Sequence, residues 1–257
     1  MPREPLHNLQ AETIDGVLLS LHRVIAWSKQ NHSRLGYFAA LYHKVTRAVQ
    51  QGIADGLFAD GPRMERLDVL FANRYLAALE CYTQEQEPIP QAWRLAFDTA
   101  EAWWPVVLQH LFLGMNAHIN MDLAIAAVET GPPDQLAALR QDFFTINTLL
   151  AGLVQETVEE LGTIWPLLRL MERFAREGGQ GLTDVGMWLS RGQAWRRAEE
   201  LALLAPSARA QRIDHLDSSV AALSRLLLPS GRWIRLLLYL IRIGELRFVP
   251  TIIEILE

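Results

Sequence analysis

The run from Gln109 to Asp122 constrains the fold most, because it sets six hydrogen-bonding side chains (Gln109, His110, Asn116, His118, Asn120 and Asp122) into an otherwise apolar helical segment. Left unpaired in an interior, each such group costs about 1 to 3 kcal/mol. A fold that buries this segment must therefore supply partners, from the chain itself, from water, from a metal or from a ligand. That requirement makes the segment the expected wall of a functional site.

Helical spacing dominates the rest of the chain, and no sustained alternation or Asn-Gly hairpin calls for strands. The expected fold is all-α: a single-domain multi-helix bundle spanning residues 1–257, with the C-terminal helices packed against the first bundle. Helices are predicted over about Thr13 to Lys29, Arg34 to Gln51 with a stop near Gly52, and Pro62 to Tyr82. Pro is favoured in a first helical turn, which suits Pro62 after Asp60-Gly61. A further helix starts near Gln91, and Pro105 kinks it or begins a new one. The polar segment then runs to about Glu129, before Gly131-Pro132-Pro133, and a long helix follows from about Asp134 to Gly162, with Pro166 marking a bend or a fresh start. Gly178-Gly179-Gln180-Gly181 reads as a flexible break before about three more helices and a short tail.

Composition narrows the chemistry. Half of the 257 residues are hydrophobic, enough for a large core, and 24 Lys and Arg against 29 Asp and Glu leave a formal charge of -5. No global field draws such a chain to nucleic acid. The lone Cys81 excludes an intrachain disulfide and a multi-thiolate zinc site, so a metal would rely on His and carboxylates. Met1 to Asn8 lacks the apolar core of a secretory signal and no run of about 18 apolar residues occurs, which makes a soluble cytoplasmic protein the expectation.

Within the polar run, His110, Gly114, His118 and Asp122 follow one another at four-residue steps along a slowly drifting stripe, whereas Asn116 and Asn120 pair on a roughly opposite side. Gly114 lets a neighbouring helix or ligand approach closely. A His and an Asp four apart can share a divalent metal, or the Asp can hold the imidazole in one tautomer for acid-base work. Upstream, His43 lies beside the apolar line Leu35, Phe38, Tyr42 and Val45. Arg74 falls on the stripe Leu67, Leu70, Phe71 and Ala78, so its guanidinium is expected to be paired, with Asp68 and Asn73 as nearby candidates. On that view Arg74→Met is tolerated better than loss of the partner carboxylate.

Two readings follow. One is an enzyme acting on a small lipophilic molecule, with His118, Asp122, His110 and His43 as catalytic groups or ligands of a divalent metal, and Arg74, Asn116 and Asn120 orienting the substrate. The other is a noncatalytic binding or interaction protein whose polar cluster fixes helix packing. Several chemistries are demoted. Glu-x-x-His occurs once, at Glu4 to His7 beside Pro5, and a di-iron bundle needs two helical copies. His-Glu-x-x-His, Gly-x-Ser-x-Gly and a Walker loop are absent. His215 remains able to reach the site from the last portion. The C-terminal stretch Trp233 to Ile243, interleaved with Arg232, Arg235, Arg242 and Arg247, suits an interfacial helix with peripheral membrane contact or the lid of a lipophilic pocket. Being apolar nearly all round, it suits a buried helix better.

The segment Gln109 to Leu123, with Arg66-Leu67-Asp68-Val69-Leu70-Phe71-Ala72-Asn73-Arg74-Tyr75 upstream, resembles a predominantly bacterial family of unknown function, domain-of-unknown-function family 5995. Asn116-Ala117-His118-Ile119-Asn120 is the most specific part of the likeness, which covers most of the chain. The resemblance implies an all-helical single domain with its polar motif at a site, and no reaction, substrate or cofactor.

Overall fold

The computed structural model describes residues 4–131, 133–164, 182–228, 231, 238, 239, 242, 245 and 248–257. Among the described residues the secondary structure is helical and contains no strand. The Gly178 to Gly181 break, the Pro166 bend and most of Trp233 to Ile243 lie outside them.

Local chemistry sets the helix starts. In α1 (Ile14–Gln30) the Thr13 hydroxyl accepts from Gly16 N. In α3 (Gly61–Thr83) the Asp60 carboxylate accepts from Arg63 N and Pro62 occupies the first turn. Between them, α2 (Leu35–Ala54) ends just past Gly52, which is buried against Phe58 and Leu149. The next helix, α4 (Gln91–Glu101), has no capping side chain of its own. Asp217, far along the chain, accepts from both Gln91 N and Ala92 N.

Pro105 separates α4 from α5 (Val107–Ala117), which passes through a π-helical turn (His118–Asp122) into α6 (Leu123–Glu129). These three pieces form one central helix. By length and composition Val107–Glu129 could cross a membrane, yet 83% of its apolar window is buried inside the protein. It is a core helix, apolar all round because other helices surround it. α2, α3 and α4 cover it on one side; α8 (Leu182–Ala202) and α9 (Pro206–Leu226) cover the other. The C-terminal helices thus pack on the same axis as the first group. The long α7 (Leu136–Ile164) lies against α2 and α8.

The expected short tail is instead a core element. In α10 (Val249–Leu256) the side chains of Ile252, Ile253 and Leu256 are wholly buried against α1, α2 and α7. The backbones pack so closely there that a Cβ on Gly36 of α2 would sit 2.6 Å from both Ser28 and Ile253. Arg242 is also inside: it donates to the Trp103 carbonyl and to Glu245, whose carboxylate accepts from Val107 N at the start of α5. Arg242 is therefore buried and braces the start of α5 through Glu245.

Candidate functional site

The π-helical turn is where the polar run becomes a site. Its wide turn closes with Leu123 N donating to the His118 carbonyl, and it places His118 and Asp122, four residues apart, in contact inside the core. Such turns recur at functional sites because the inserted residue re-aims its neighbours. His118 Nδ1 lies 3.4 Å from Asp122 Oδ2, which also accepts from Trp93 Nε1 at 2.8 Å. Asp122 Oδ1 accepts from Arg74 Nε at 2.9 Å. One carboxylate thus gathers donors from α3, α4 and its own helix.

The expected pairing of Arg74 is present, but the burial is inverted. Asp122 has 1% of its side chain exposed and Arg74 has 26%. The buried charge that depends on the pair is the carboxylate, because the guanidinium still touches solvent. Trp93 was not among the residues singled out from the sequence. Its signal was available, since a large indole on the apolar side of a helix needs a partner for its N–H.

Aromatic rings enclose the imidazole. Phe71 stacks on it with centroids 3.5 Å apart and planes 8° from parallel, and Tyr42 meets it edge-on at 4.4 Å. Phe38, Trp93 and Tyr75 complete the enclosure at 5.6, 5.9 and 6.3 Å. Burial pushes the His118 pKa down, against the opposing pull of Asp122, so the ring is neutral. With Nδ1 directed at a carboxylate, the hydrogen-bond pattern assigns the proton to Nδ1 and leaves Nε2 as a bare acceptor. That Nε2 is buried without a partner, as are the hydroxyls of Tyr42 and Tyr75 and Oδ2 of Asp68. Thr46 stands beside the Tyr42 hydroxyl without reaching hydrogen-bond geometry. Burial, with Glu65 adding repulsion, raises the Asp68 carboxyl to about 7.

The other predicted residues lie elsewhere. Two helical turns, about 12 Å, separate His110 from His118 along the central helix. Between them the Phe38 ring sits over Gly114, where a Cβ would come within 2.5 Å of it, which is the close approach expected of that glycine. His110 meets Tyr37 edge-on, and neither of its ring nitrogens has a hydrogen-bond partner. His43 is half-buried, and the charged groups that act on it are Glu257, Arg47 and His22, none of them part of the dyad. Asn116 donates to the Val220 carbonyl and to Ser224 Oγ, and its own oxygen accepts from Asn120. Arg197 of α8 donates to the Asn120 carbonyl. The two asparagines therefore stitch α8 and α9 to the central helix on the face away from His118. Gln109 caps α5 by accepting from Val106 N and donates to the Leu227 carbonyl. Asn73 holds Ala11 by a reciprocal pair of bonds, and His215 is exposed on α9.

Among the described residues, no group of three or more His, Cys, Asp or Glu side chains is arranged to hold a metal ion. His118 and Asp122 alone would give at most two protein ligands, and Arg74 and Trp93 already occupy the carboxylate oxygens with donated hydrogen bonds. A cation there would face the guanidinium charge. Among the described residues, the dyad by itself does not complete a metal centre of three or four ligands.

A cleft of about 450 Å³ is lined by Trp27, Tyr82, Glu85, Glu87, Arg94 and neighbours and contains none of the predicted site residues. None of its lining groups is a buried, unpartnered polar atom. The interior dyad, with unpartnered polar atoms in an aromatic setting, is the stronger candidate for chemistry. The sequence profile of a family of unknown function, DUF5995, matches residues 14–230. Neither curated proteins nor solved structures yield a match to the chain.

Proposed function

Since the chain belongs to the DUF5995 family of unknown function, its activity has to be read from the site itself, and we propose that it is a helical enzyme in which His118 acts as general base on a small, largely apolar molecule. One observation carries the reading: an Asp122-held imidazole presents a buried, unpartnered Nε2 within a ring of aromatic side chains. A neutral imidazole in that tautomer takes a proton at Nε2, and Asp122 stabilises the imidazolium that forms. Arg74 and Trp93 hold the carboxylate in position and act as positioning residues. The rings of Phe71, Tyr42 and Phe38 exclude water, which strengthens every electrostatic contact at the dyad. They also select an apolar substrate body. Because the His118 side chain has only 4% of its surface exposed, substrate entry requires side-chain movement.

A second reading has its own support. The bonds from Arg74 and Trp93 to Asp122 join α3 and α4 to the central helix, as a purely structural network would. Thermal unfolding of His118→Leu separates the two. An imidazole kept for chemistry leaves an acceptor unsatisfied, so its replacement should leave the melting temperature unchanged or higher. A fall of more than about 4 °C, the shift of roughly 1 kcal/mol or more in a domain of this size, favours the structural reading. Ring ¹⁵N spectroscopy of the parent supplies the second arm. His118 should show a protonated Nδ1 and a bare Nε2; a proton on Nε2 would overturn the base assignment.

A further inference from the structure

The dyad is nearest to water on one face of α3. Of the side chains arrayed around His118 and Asp122, Phe38, Tyr42, Tyr75 and Trp93 are buried, whereas Phe71 and Arg74 are half-buried. These two lie three residues apart in α3, which makes them neighbours on the helix surface. Each also touches the dyad directly: Phe71 stacks on the imidazole, and Arg74 bonds the carboxylate.

Arg74 is only partly committed to that bond. Its Nε donates to Asp122 Oδ1, but among the described residues its two terminal amino groups have no hydrogen-bond partner, and neither is sealed from solvent. With 26% of the side chain exposed, the guanidinium keeps planar donors of the kind that match a carboxylate. Asp122 does not bar a second anion there, because its own charge is already met by Arg74, by the Trp93 N–H and by the facing Nδ1 of His118. A hydrogen bond between two ionised groups is roughly twice as strong as one between neutral groups, which favours a carboxylate over an alcohol. An ammonium would meet like charge. Phe71 supplies the room. Its ring covers the imidazole at 3.5 Å and reaches solvent, so outward rotation leaves the space of one apolar ring over His118.

We infer that Phe71 and Arg74 form the entrance to the dyad, where Arg74 receives the carboxylate of a small apolar acid and the body of the acid takes the place of the Phe71 ring over His118. This names the substrate class for the base reading of His118 and rests on that reading for the chemistry that follows. The binding step is measured independently of it.

The test uses the full chain with benzoate, benzyl alcohol and benzylammonium, probes that share one ring and differ in charge. Two ¹⁵N signals report on the site: the His118 ring, and the Trp93 indole N–H, which shares the Asp122 carboxylate with Arg74 and is assigned by its loss in Trp93→Phe. Benzoate should move both along a saturable curve, with a dissociation constant at least about tenfold below those of the other two probes. Phe71→Ala removes the ring that has to be displaced and should tighten benzoate binding at least about tenfold. Arg74→Lys keeps Asp122 paired but gives up the planar fork, and should weaken it by about the same factor. Benzyl alcohol or benzylammonium binding as tightly as benzoate would overturn the inference, as would an undiminished benzoate response in folded Arg74→Lys or an unimproved one in folded Phe71→Ala. Where a variant fails to fold, the three-probe comparison in the parent still decides, and a flat response to benzoate up to about 50 mM, far weaker than millimolar binding, also overturns it. His118→Leu should keep the Trp93 response to benzoate, so failure here and failure of the base assignment are distinguishable.

Discussion

Arg74 Nε donates to Asp122 Oδ1 across 2.9 Å, and the two ends of this bond live in different solvents: the carboxylate is in the dry core and the guanidinium reaches water. The asymmetry decides which substitution is worse. Arg74→Met removes the charge that balances Asp122 and strands a buried anion, at a cost of about 3 to 5 kcal/mol. Asp122→Asn leaves Arg74 able to turn to solvent and loses hydrogen-bond strength only, about 1 to 3 kcal/mol. Urea unfolding of both variants should therefore rank Arg74→Met as the more destabilised, the reverse of the order suggested by an arginine on an apolar stripe. Equal stabilities would mean that Trp93 and His118 suffice to hold the carboxylate.

Gly114 permits the Phe38 ring to lie against the central helix, and a Cβ there would meet Phe38 Cδ2 at 2.5 Å and Cγ at 2.6 Å. Gly114→Ala should destabilise the protein by about 1 to 3 kcal/mol through overpacking. The same substitution made in a Phe38→Ala background should cost much less. A double-mutant cycle with additive energies would show that the backbone, and not the ring, limits the space.

Asp68 predicts a pH dependence of defined sign. Burial penalises the charged form and pushes its carboxyl up to about 7 in the folded chain, well above the ordinary aspartate value of about 3.9. The folded state thus holds a proton that the unfolded state has released between those values. The associated stability is complete below about pH 4 and is lost as pH rises through 7. Asp68→Asn should consequently raise stability at pH 8, by up to roughly 4 kcal/mol on full linkage, and leave it nearly unchanged at pH 4. His110 acts oppositely: its lowered pKa makes stability fall as pH drops from about 6.5 toward 3. Chemical denaturation of the parent, Asp68→Asn and His110→Phe at pH 4, 6 and 8 separates the two contributions. A constant difference between parent and Asp68→Asn over that range would contradict the assignment.

Asn116 donates both hydrogens of its amide to α9, at 3.0 Å to the Val220 carbonyl and 2.8 Å to Ser224 Oγ. Asn116→Ala should cost about 1 to 3 kcal/mol, since it leaves these buried groups unsatisfied. Hydrogen exchange should quicken in α9 while amides in α1 and α3 stay protected. An effect centred on the His118 ring resonances instead would place Asn116 in the dyad's network.

Helix identity was legible along most of the chain because it depends on local terms: the 3.6-residue apolar period, the turn at Asp60-Gly61, and the proline-marked starts. Of the run from Gln109 to Asp122, Gln109, Asn116, Asn120 and Asp122 found partners, while both His110 ring nitrogens and His118 Nε2 did not. Gly114 was recognised as a place of close approach, and Arg74 as a paired cation. These inferences needed only the chemistry of each side chain and its position on a helix.

Which partners met was a question the sequence left open, because six polar groups on one helix face several neighbours at once. His118 and Asp122, in the π-helical turn, meet α3 and α4, whereas Asn116 of α5 with Asn120 meets α8 and α9, so one motif serves two unrelated networks. Trp93 reached Asp122 from a helix that begins at Gln91, and α10 entered the core against Gly36, contacts separated too widely along the chain for spacing to reveal. Helical periodicity and capping are local and were determined by the sequence alone. The pairing of buried polar atoms, and the spaces left where none meet, arise from how whole helices close around the central one, and only the tertiary structure decided them.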